Sequence, residues 1–347
     1  MPISFCKKNG LVVIVGDPNQ LGPMPHSPTY RCIPNAMVSL QERLLRFPVY
    51  SDLVLTAGST HNAGRSGVVL VNNYRSHEDI FAVSSRLFYG GQLIQCGIPV
   101  KVNYMIPWTS NYLLRKNSEV KSAESAVPIS SAVLVVGCDG KHQHELDSPS
   151  YFNLAEVGKV CDLCVELLHS PVAPGISTND IGVIAAYRHQ VLKIRNELRL
   201  RGCWGINVGS VEDYQGKEVK IAIVSTVLTA DIDAPENFGL FGLMHDRRRF
   251  NVAVTRGECL TIVVGNLKML QKDRYFNEYL LFCRDKRAYT GEIIDEIRYA
   301  HNDNGTEDED SKLLSLAGSI SLGHGKGEKF DPIESYYRDD IAWRMML

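Results

Sequence analysis

From about residue 11 to residue 300, short runs of Val, Ile and Leu alternate with stretches whose apolar residues recur every three to four positions. A run that is apolar throughout suits a strand buried on both faces, and a 3.6-residue period suits a helix with one buried stripe. The alternation therefore specifies βα units in an α/β fold with a doubly wound, mostly parallel sheet. Strands are expected at residues 11–15, 68–71, 133–136, 181–184, 219–225 and 260–264. Helices are expected on Met37, Leu40 and Leu44, on Ile80, Val83 and Leu87, on Leu154, Val157, Cys161, Cys164 and Leu168, and on Val191, Ile194 and Leu198. Asn153 with Glu156 three residues on reads as a helix-starting capping pair. The polar stretches 53–67 and 107–131 read as surface loops.

A chain of 347 residues with 44% hydrophobic content can bury one sizeable core. No run of about 18 uncharged apolar residues occurs, so neither a membrane span nor a secretory leader is expected. Nine cysteines form no disulfide framework, which points to a reducing cytosol or nucleus. Cys161 and Cys164 make one CxxC on the apolar face of an expected helix with no second pair nearby, so they read as core and no metal site is expected. His142 and His144 read as loop residues. The net charge of −2 divides unevenly. Residues 301–347 hold ten Asp or Glu and five Lys or Arg, leaving the body at +3. Such a body can meet nucleic acid. The tail opens on Asn302-Asp303-Asn304-Gly305-Thr306-Glu307-Asp308-Glu309-Asp310, too polar and charged to fold alone, and is expected to be disordered. Its aromatic end, Tyr336, Tyr337 and Trp343, is a candidate docking motif.

Four polar segments interrupt the apolar pattern. Residues 12–23, ending Gly16-Asp17-Pro18-Asn19-Gln20-Leu21-Gly22-Pro23, put a turn at the carboxyl end of an expected strand, where open α/β sheets bind ligands; an ordinary Asx-Pro turn has the same look. Asn72-Asn73-Tyr74-Arg75-Ser76-His77 sets an aromatic ring beside a guanidinium, suited to base stacking and to a forked phosphate contact, or else opens a helix with Ser76 as its N-cap. Residues 208–218 combine Ser210 with Gln215, Gly216 and Glu218, able to approach sugar or phosphate-bound water, or else form a plain surface turn. In Asp246-Arg247-Arg248-Arg249-Phe250-Asn251-Val252-Ala253-Val254-Thr255-Arg256, Arg249 and Arg256 would share one helix face, fit for a polyanion or for solvent.

In this order the four segments resemble motifs III, IV, V and VI of superfamily-one helicases, and residues 181–190 resemble the intervening Tyr-Arg-x-Gln motif. Gly-Asp-Pro-x-Gln-Leu-Gly-Pro, Asn-Tyr-Arg-Ser-His and Arg-Phe-Asn-Val-Ala-Val-Thr-Arg look most like the Upf-one-like RNA helicases of the Armitage and Moloney-leukaemia-virus-10 type. Ser148-Pro149-Ser150-Tyr151-Phe152-Asn153 and Tyr289-Thr290-Gly291 add to the likeness. It implies a RecA-like P-loop NTPase second lobe at residues 31–300, the end of a first lobe (motif III) at 1–30, and the acidic tail at 301–347. It implies that Gln20 senses the γ-phosphate and that Arg75 and Arg256 act as arginine fingers in catalysis. Asp17, Tyr74, Gln215, Gly216, Glu218 and Arg249 would bind ATP, Tyr74 by stacking on adenine and Glu218 by holding ribose. Ala185, Tyr187, Arg188 and Ser210 would face RNA. The activity implied is ATP- and Mg²⁺-dependent 5′-to-3′ translocation on single-stranded or duplex RNA in silencing or turnover, in the cytoplasm or ribonucleoprotein granules, with Argonaute-type silencing proteins as partners.

The phosphate cradle G-x-x-x-x-G-K-[ST] is absent from this sequence: the Gly-Lys pairs at 140, 158, 216 and 325 lack the following hydroxyl. Asp295-Glu296 imitates a Walker B end but lies beyond the last motif and reads as an exposed helix start. The Mg²⁺ ligands are expected upstream of residue 1, and the isolated chain is expected to hydrolyse nothing. Ala185-Ala186 replaces the usual Ser/Thr-Pro, removing a hydroxyl donor. Gly257-Glu258 replaces Ala-Arg/Lys, placing a carboxylate near a phosphate-facing arginine. The alternative reading is a non-catalytic helicase-like lobe that binds RNA or protein, and a DNA helicase of the same superfamily is a third.

Overall fold

A computed structural model describes residues 10, 12–23, 38–47, 69–119, 129–146, 148, 150–229, 243 and 246–292. The described residues fall into two compact units, those up to residue 70 and those from residue 71 on, and the sheet belongs to the second. Its strands are β1 (Asn72–Asn73), β2 (Ile94–Gln95), β3 (Val133–Gly137), β4 (Gln143–His144), β5 (Tyr151–Phe152), β6 (Ile181–Ala185), β7 (Asn207–Ser210), β8 (Val219–Ser225), β9 (Gly257–Gly265) and β10 (Tyr289–Thr290). The helices are α1 (Leu40–Leu45), α2 (Glu78–Phe88), α3 (Pro99–Val102), α4 (Ile106–Glu119), α5 (Leu154–Leu168), α6 (Arg188–Leu200), α7 (Arg247–Val254), α8 (Leu267–Lys272) and α9 (Arg274–Asp285).

Six strands form one sheet in the order β10–β3–β9–β8–β6–β7, and every pairing in it is parallel. The central strands are rich in Val, Ile and Leu and are buried over most of their length, as coverage on both faces requires. α5 and α6 pack against one another, and α2, α7 and α9 form a second group around Phe250. The Phe250 ring, fully buried, stands perpendicular to Phe276 at 5.0 Å and lies 6.2 Å from Phe88, so one aromatic side chain ties three helices together. The register aligns the strand ends: Ala185, Ser210 and Ser225 sit side by side at the carboxyl edge, and Val219 pairs with Gly257 at the amino edge. This is the doubly wound α/β sheet of a RecA-like lobe.

The strands expected at 133–136, 181–184, 219–225 and 260–264 are present, as are the helices on Ile80, on Leu154 and on Val191. Cys161 and Cys164 lie in the core under α5, where burial pushes the Cys161 thiol up to about 12 and Cys164 higher still. Other expectations are corrected. Residues 12–17 form no strand, and Val13 and Val15 are 73% and 85% exposed. A strand needs a neighbouring ladder of N–H and C=O groups, and no described residue of the first unit supplies one. The strand expected at 68–71 begins at Asn72 instead, where Ile94–Gln95 offers a parallel partner. The stretch read as a loop from 107 contains α4, whose Trp108, Tyr112 and Leu113 are buried; intervening Thr, Ser and Asn residues, with Arg115 and Lys116 beyond, mask this stripe. His144 belongs to a two-residue antiparallel pair rather than a loop. His77, not Ser76, is the N-cap of α2, its Nδ1 accepting from the Asp79 amide at 3.0 Å. Asn153 does cap α5, but the Glu156 side chain turns inward instead of back to the cap. Met37, Asp295-Glu296, residues 53–67 and the whole 301–347 tail lie outside the described residues.

Candidate functional site

At the amino edge of the sheet, an Asx turn aims Arg75. The Asn73 Oδ1 accepts from the amides of Arg75 and Ser76 at 3.0 and 2.9 Å, and the Ser76 hydroxyl donates to the Gly257 carbonyl at 2.7 Å. Arg75 Nη2 then donates to the Thr255 carbonyl at 2.8 Å, a contact between residues 180 positions apart. The neighbouring Arg256 contacts the same residue, its Nη2 donating to the Thr255 hydroxyl at 3.2 Å. Its Nε and Nη1 donate to the carbonyls of Val252 and Lys217 at 3.0 and 3.3 Å, and the residue is 2% exposed. Arg75 Nη1 lies 3.6 Å from Glu218 Oε2 with both side chains open to solvent, so this pair can exchange for an incoming ligand at little cost. Glu258 sits in the same field: burial raises its pKa first, the like charge of Glu218 adds to this, and Lys220, Arg75 and Lys101 oppose it.

The expectation that Arg249 and Arg256 share a helix face is corrected. α7 ends at Val254, and Arg256 already belongs to the approach to β9, its carbonyl accepting from the Val219 amide at 3.1 Å. The sheet ladder claims Arg256 before another helical turn can form. Arg249, 8% exposed, forms ion pairs with Glu212 at 2.8 Å and with Asp246 at 3.8 Å, so its charge is met inside the protein. Gly216 is at φ +76 with open space where a Cβ would point, a backbone that only glycine adopts freely. Tyr74 is 70% exposed, its hydroxyl accepting weakly from Asn72 at 3.4 Å.

The carboxyl edge is different. Ala185 is buried between Ser210 and Ser225, while Tyr187 caps α6 against Tyr151 at 5.5 Å and Arg188 stands exposed. The Ser210 amide and hydroxyl both donate to Asp213 Oδ2, at 2.8 and 3.0 Å. Beneath them runs a buried polar network. Gln190 donates to Ser225 Oγ at 2.9 Å and accepts from the Asn153 amide at 2.8 Å; Ser225 donates to Glu156 Oε2 at 2.6 Å. The Val227 amide donates to both Glu156 oxygens, at 3.0 and 2.9 Å, and its carbonyl accepts from Asn153 Nδ2 at 3.2 Å. Val227 has φ +74, a strained conformation for a β-branched residue, and both its polar groups are gripped by buried side chains. Burial drives the Glu156 carboxyl up to about 7, against the hydrogen bonds from Ser225 and Val227 that favour its charged form.

In the first unit, Asp17 builds the turn that carries Gln20. Its carboxylate accepts from the Asn19 amide at 2.9 Å and from Gln20 Nε2 at 3.0 Å, and Gln41 of α1 donates to the Gly16 carbonyl at 2.9 Å. No group of three or more His, Cys, Asp or Glu among the described residues could hold a metal ion, and no described helix is long and apolar enough to cross a membrane.

Residues 55–268 match a family described as an AAA domain, and that stretch contains every motif of the second unit. The chain belongs to the Upf-one-like helicases, of the Armitage and Moloney-leukaemia-virus-10 type. It is 35% identical over 322 residues to the Danio rerio protein named "Putative helicase mov-10-B.2", covering 89% of this chain and 29% of that relative. It is 36% identical over 285 residues to human RNA helicase Mov10l1, covering 82% of this chain and 22% of the relative. With Drosophila melanogaster "Probable RNA helicase armi" it shares 30% identity over 291 residues, 83% of this chain and 24% of the relative. The chain thus spans less than a third of the length of these curated relatives. Within this helicase lobe, Arg75, Glu218 and Arg256 converge on one edge, whereas Ala185, Tyr187 and Ser210 gather on the other. Asn73 and Thr255 lie inside the motif segments, yet the motifs assign them no role, and the sequence marks Glu156 only as a capping partner; the Asn two places before Arg75 is the one sequence sign of an aiming role.

Proposed function

We propose that this chain supplies the second motor lobe of an ATP-dependent RNA helicase, with residues 1–30 as the end of the first lobe. The observation that carries the reading is the shared grip of Arg75 and Arg256 on Thr255, which brings two guanidinium groups from distant segments to the amino edge of one parallel sheet. Two forks held this way suit the charge that builds on a transferred phosphoryl group. The residues fit ATP: Arg75, whose partner Glu218 is exposed, meets the γ-phosphate from the open side, and Arg256 supports it from behind. Tyr74 offers an exposed ring to adenine, Glu218 an oxygen to ribose, and the turn at Gln215 and Gly216 admits close approach of backbone to ligand. Arg249, already tied to Glu212, shapes that turn. Gln20, positioned by Asp17, senses the γ-phosphate from the first lobe. When bound, ATP would supply the phosphoryl group and Mg²⁺ would neutralise charge on its oxygens, though no group of three or more His, Cys, Asp or Glu among the described residues could hold that metal.

At the carboxyl edge, Tyr187, Arg188, Ser210 and the Ala185 turn face the RNA backbone. The whole enzyme then translocates 5′ to 3′ on RNA in silencing or turnover, in the cytoplasm or ribonucleoprotein granules, with Argonaute-type proteins as partners. The test compares this chain alone with the same chain joined to a first lobe bearing a phosphate cradle. RNA-stimulated, Mg²⁺-dependent phosphate release is expected only from the joined protein. Its absence there returns the lobe to a non-catalytic binding role, and its presence in the isolated chain refutes the division of labour.

A further inference from the structure

The outer face of α6 carries a row of side chains that the motifs do not use. At 100° per residue, Arg188, Leu192, Arg195 and Arg199 fall within about 60° of the helix circumference and run roughly 16 Å along its axis. All four are exposed. Past the helix end the row continues to Trp204, whose indole is 79% exposed. Between that ring and the edge strand β7 lies a cleft of about 160 Å³ whose walls include Arg195, Arg199, Cys203, Trp204, Asn207 and Val208. Arg195 donates through Nε to the Val208 carbonyl at 3.0 Å, fixing its guanidinium in the cleft wall.

Charge along this row is left uncompensated, in contrast to the rest of the helix. Lys193 pairs with Glu145, and Arg201 pairs with Asp162 and Glu197. Among the described residues, none of Arg188, Arg195 and Arg199 forms an ion pair. Glu197, the single carboxylate in the helix sequence, faces the opposite side at 100° per residue. A line of cations ending on an exposed aromatic ring matches the two components of single-stranded nucleic-acid binding: an electropositive track for the backbone and a platform for a base.

We propose that the outer face of α6 and the Trp204 cleft extend the RNA track from the carboxyl edge down the side of the lobe. Arg188 and Arg199 contact phosphates, and one base stacks on Trp204. The inference rests on the reading that the carboxyl edge faces RNA, because Arg188 stands at once in that edge and at the head of the row. An apolar protein ligand fits less well, since the row presents three cations against two apolar side chains, and an acidic one offers the exposed Trp204 ring no base to stack on.

The test measures binding of fluorescently labelled oligouridine to the full chain at two lengths, a short one that covers only the carboxyl edge and a longer one that reaches the cleft. Trp204→Ala and Arg199→Ala are both exposed changes, and thermal melts confirm that each variant folds. Trp204→Ala should weaken the longer RNA by at least about fivefold while leaving the short one unchanged. Arg199→Ala should lower the salt slope for the longer RNA by about 0.7, the release expected for one phosphate contact on a single strand. Unchanged binding of the longer RNA in both variants overturns the extended track but leaves the carboxyl-edge reading standing. Failure of the unaltered chain to bind either length overturns both. Polyglutamate of equal charge displacing the longer RNA as well as unlabelled oligouridine does also overturns the track, for the row then answers to any acidic polymer.

Discussion

At the amino edge of the sheet, Arg75 and Arg256 are charged groups held by backbone carbonyls and by one threonine. At the carboxyl edge, Glu156, Gln190, Ser225 and Asn153 are buried side chains that hold one another and a strained valine. Only the first arrangement leaves a cation within reach of solvent, at Arg75. The second is sealed, and it shapes a surface without presenting the groups that do the shaping. The exposed Arg75 is thus presented by residues inside the motif segments, Asn73 and Thr255, whereas the carboxyl edge is shaped by buried side chains.

Four measurements would break or sharpen this contrast. The largest effect belongs to the amino edge: in the chain joined to a phosphate-cradling lobe, Arg75→Ala and Arg256→Ala should each lower turnover by about a thousandfold, roughly 4 kcal/mol. Arg256→Lys should recover little, because a point charge cannot replace a fork. Arg248→Ala serves as the control and should stay near normal. Near-normal turnover in all the variants would remove phosphoryl transfer from this edge.

Next comes the sealed network. Because the folded state holds the Glu156 proton more tightly than the unfolded chain, with a pKa of about 7 against an ordinary 4.5, its contribution to stability is complete below 4.5 and is lost as pH rises through 7. Glu156→Gln should erase that decline, so that the unaltered chain loses on the order of 3 kcal/mol relative to the variant over this window. Denaturant unfolding across the window checks it, and parallel stability curves for the two proteins would contradict it. Smaller again is Gly257→Ala at the amino edge. The added Cβ would lie 2.6 Å from the Leu260 carbonyl oxygen, which is backbone and cannot rotate away, so a loss of about 1–3 kcal/mol in stability is expected from the overpacked site. A urea midpoint unchanged within error would show that the strand relaxes freely. The smallest effect is Ser210→Ala, which should weaken RNA binding by only a few-fold, the worth of about one hydrogen bond, and leave phosphate release at saturating RNA unaltered. A turnover defect at saturating RNA would merge the two edges into one site.

Sequence legibility followed burial. The central strands were readable because continuous apolar runs have few alternatives once both faces are covered, and β8 occupies the expected residues 219–225. α4 was not, because Trp108 is separated from Tyr112 and Leu113 by Thr, Ser and Asn, and Arg, Lys, Asn and Ser follow, a mixture that resembles a loop. The run at 12–15 looked like a strand, yet an apolar run acquires that form only when a neighbour completes its hydrogen bonds. For the site, Arg75 and Arg256 could be named from the motifs, while Thr255, which both of them grip, could not.

What the sequence by itself determined is the α/β class, the strand cores and the presented residue types, for these depend on hydrophobic period and on local chemistry. The tertiary structure alone decided that Arg256 leaves α7 and joins the approach to β9, that Glu156 turns away from its cap to hold Val227, and that Arg75 meets Thr255 across 180 positions. These outcomes depend on sheet register and on which buried donor lacks a partner, and no local window of sequence contains both sides of such a bond.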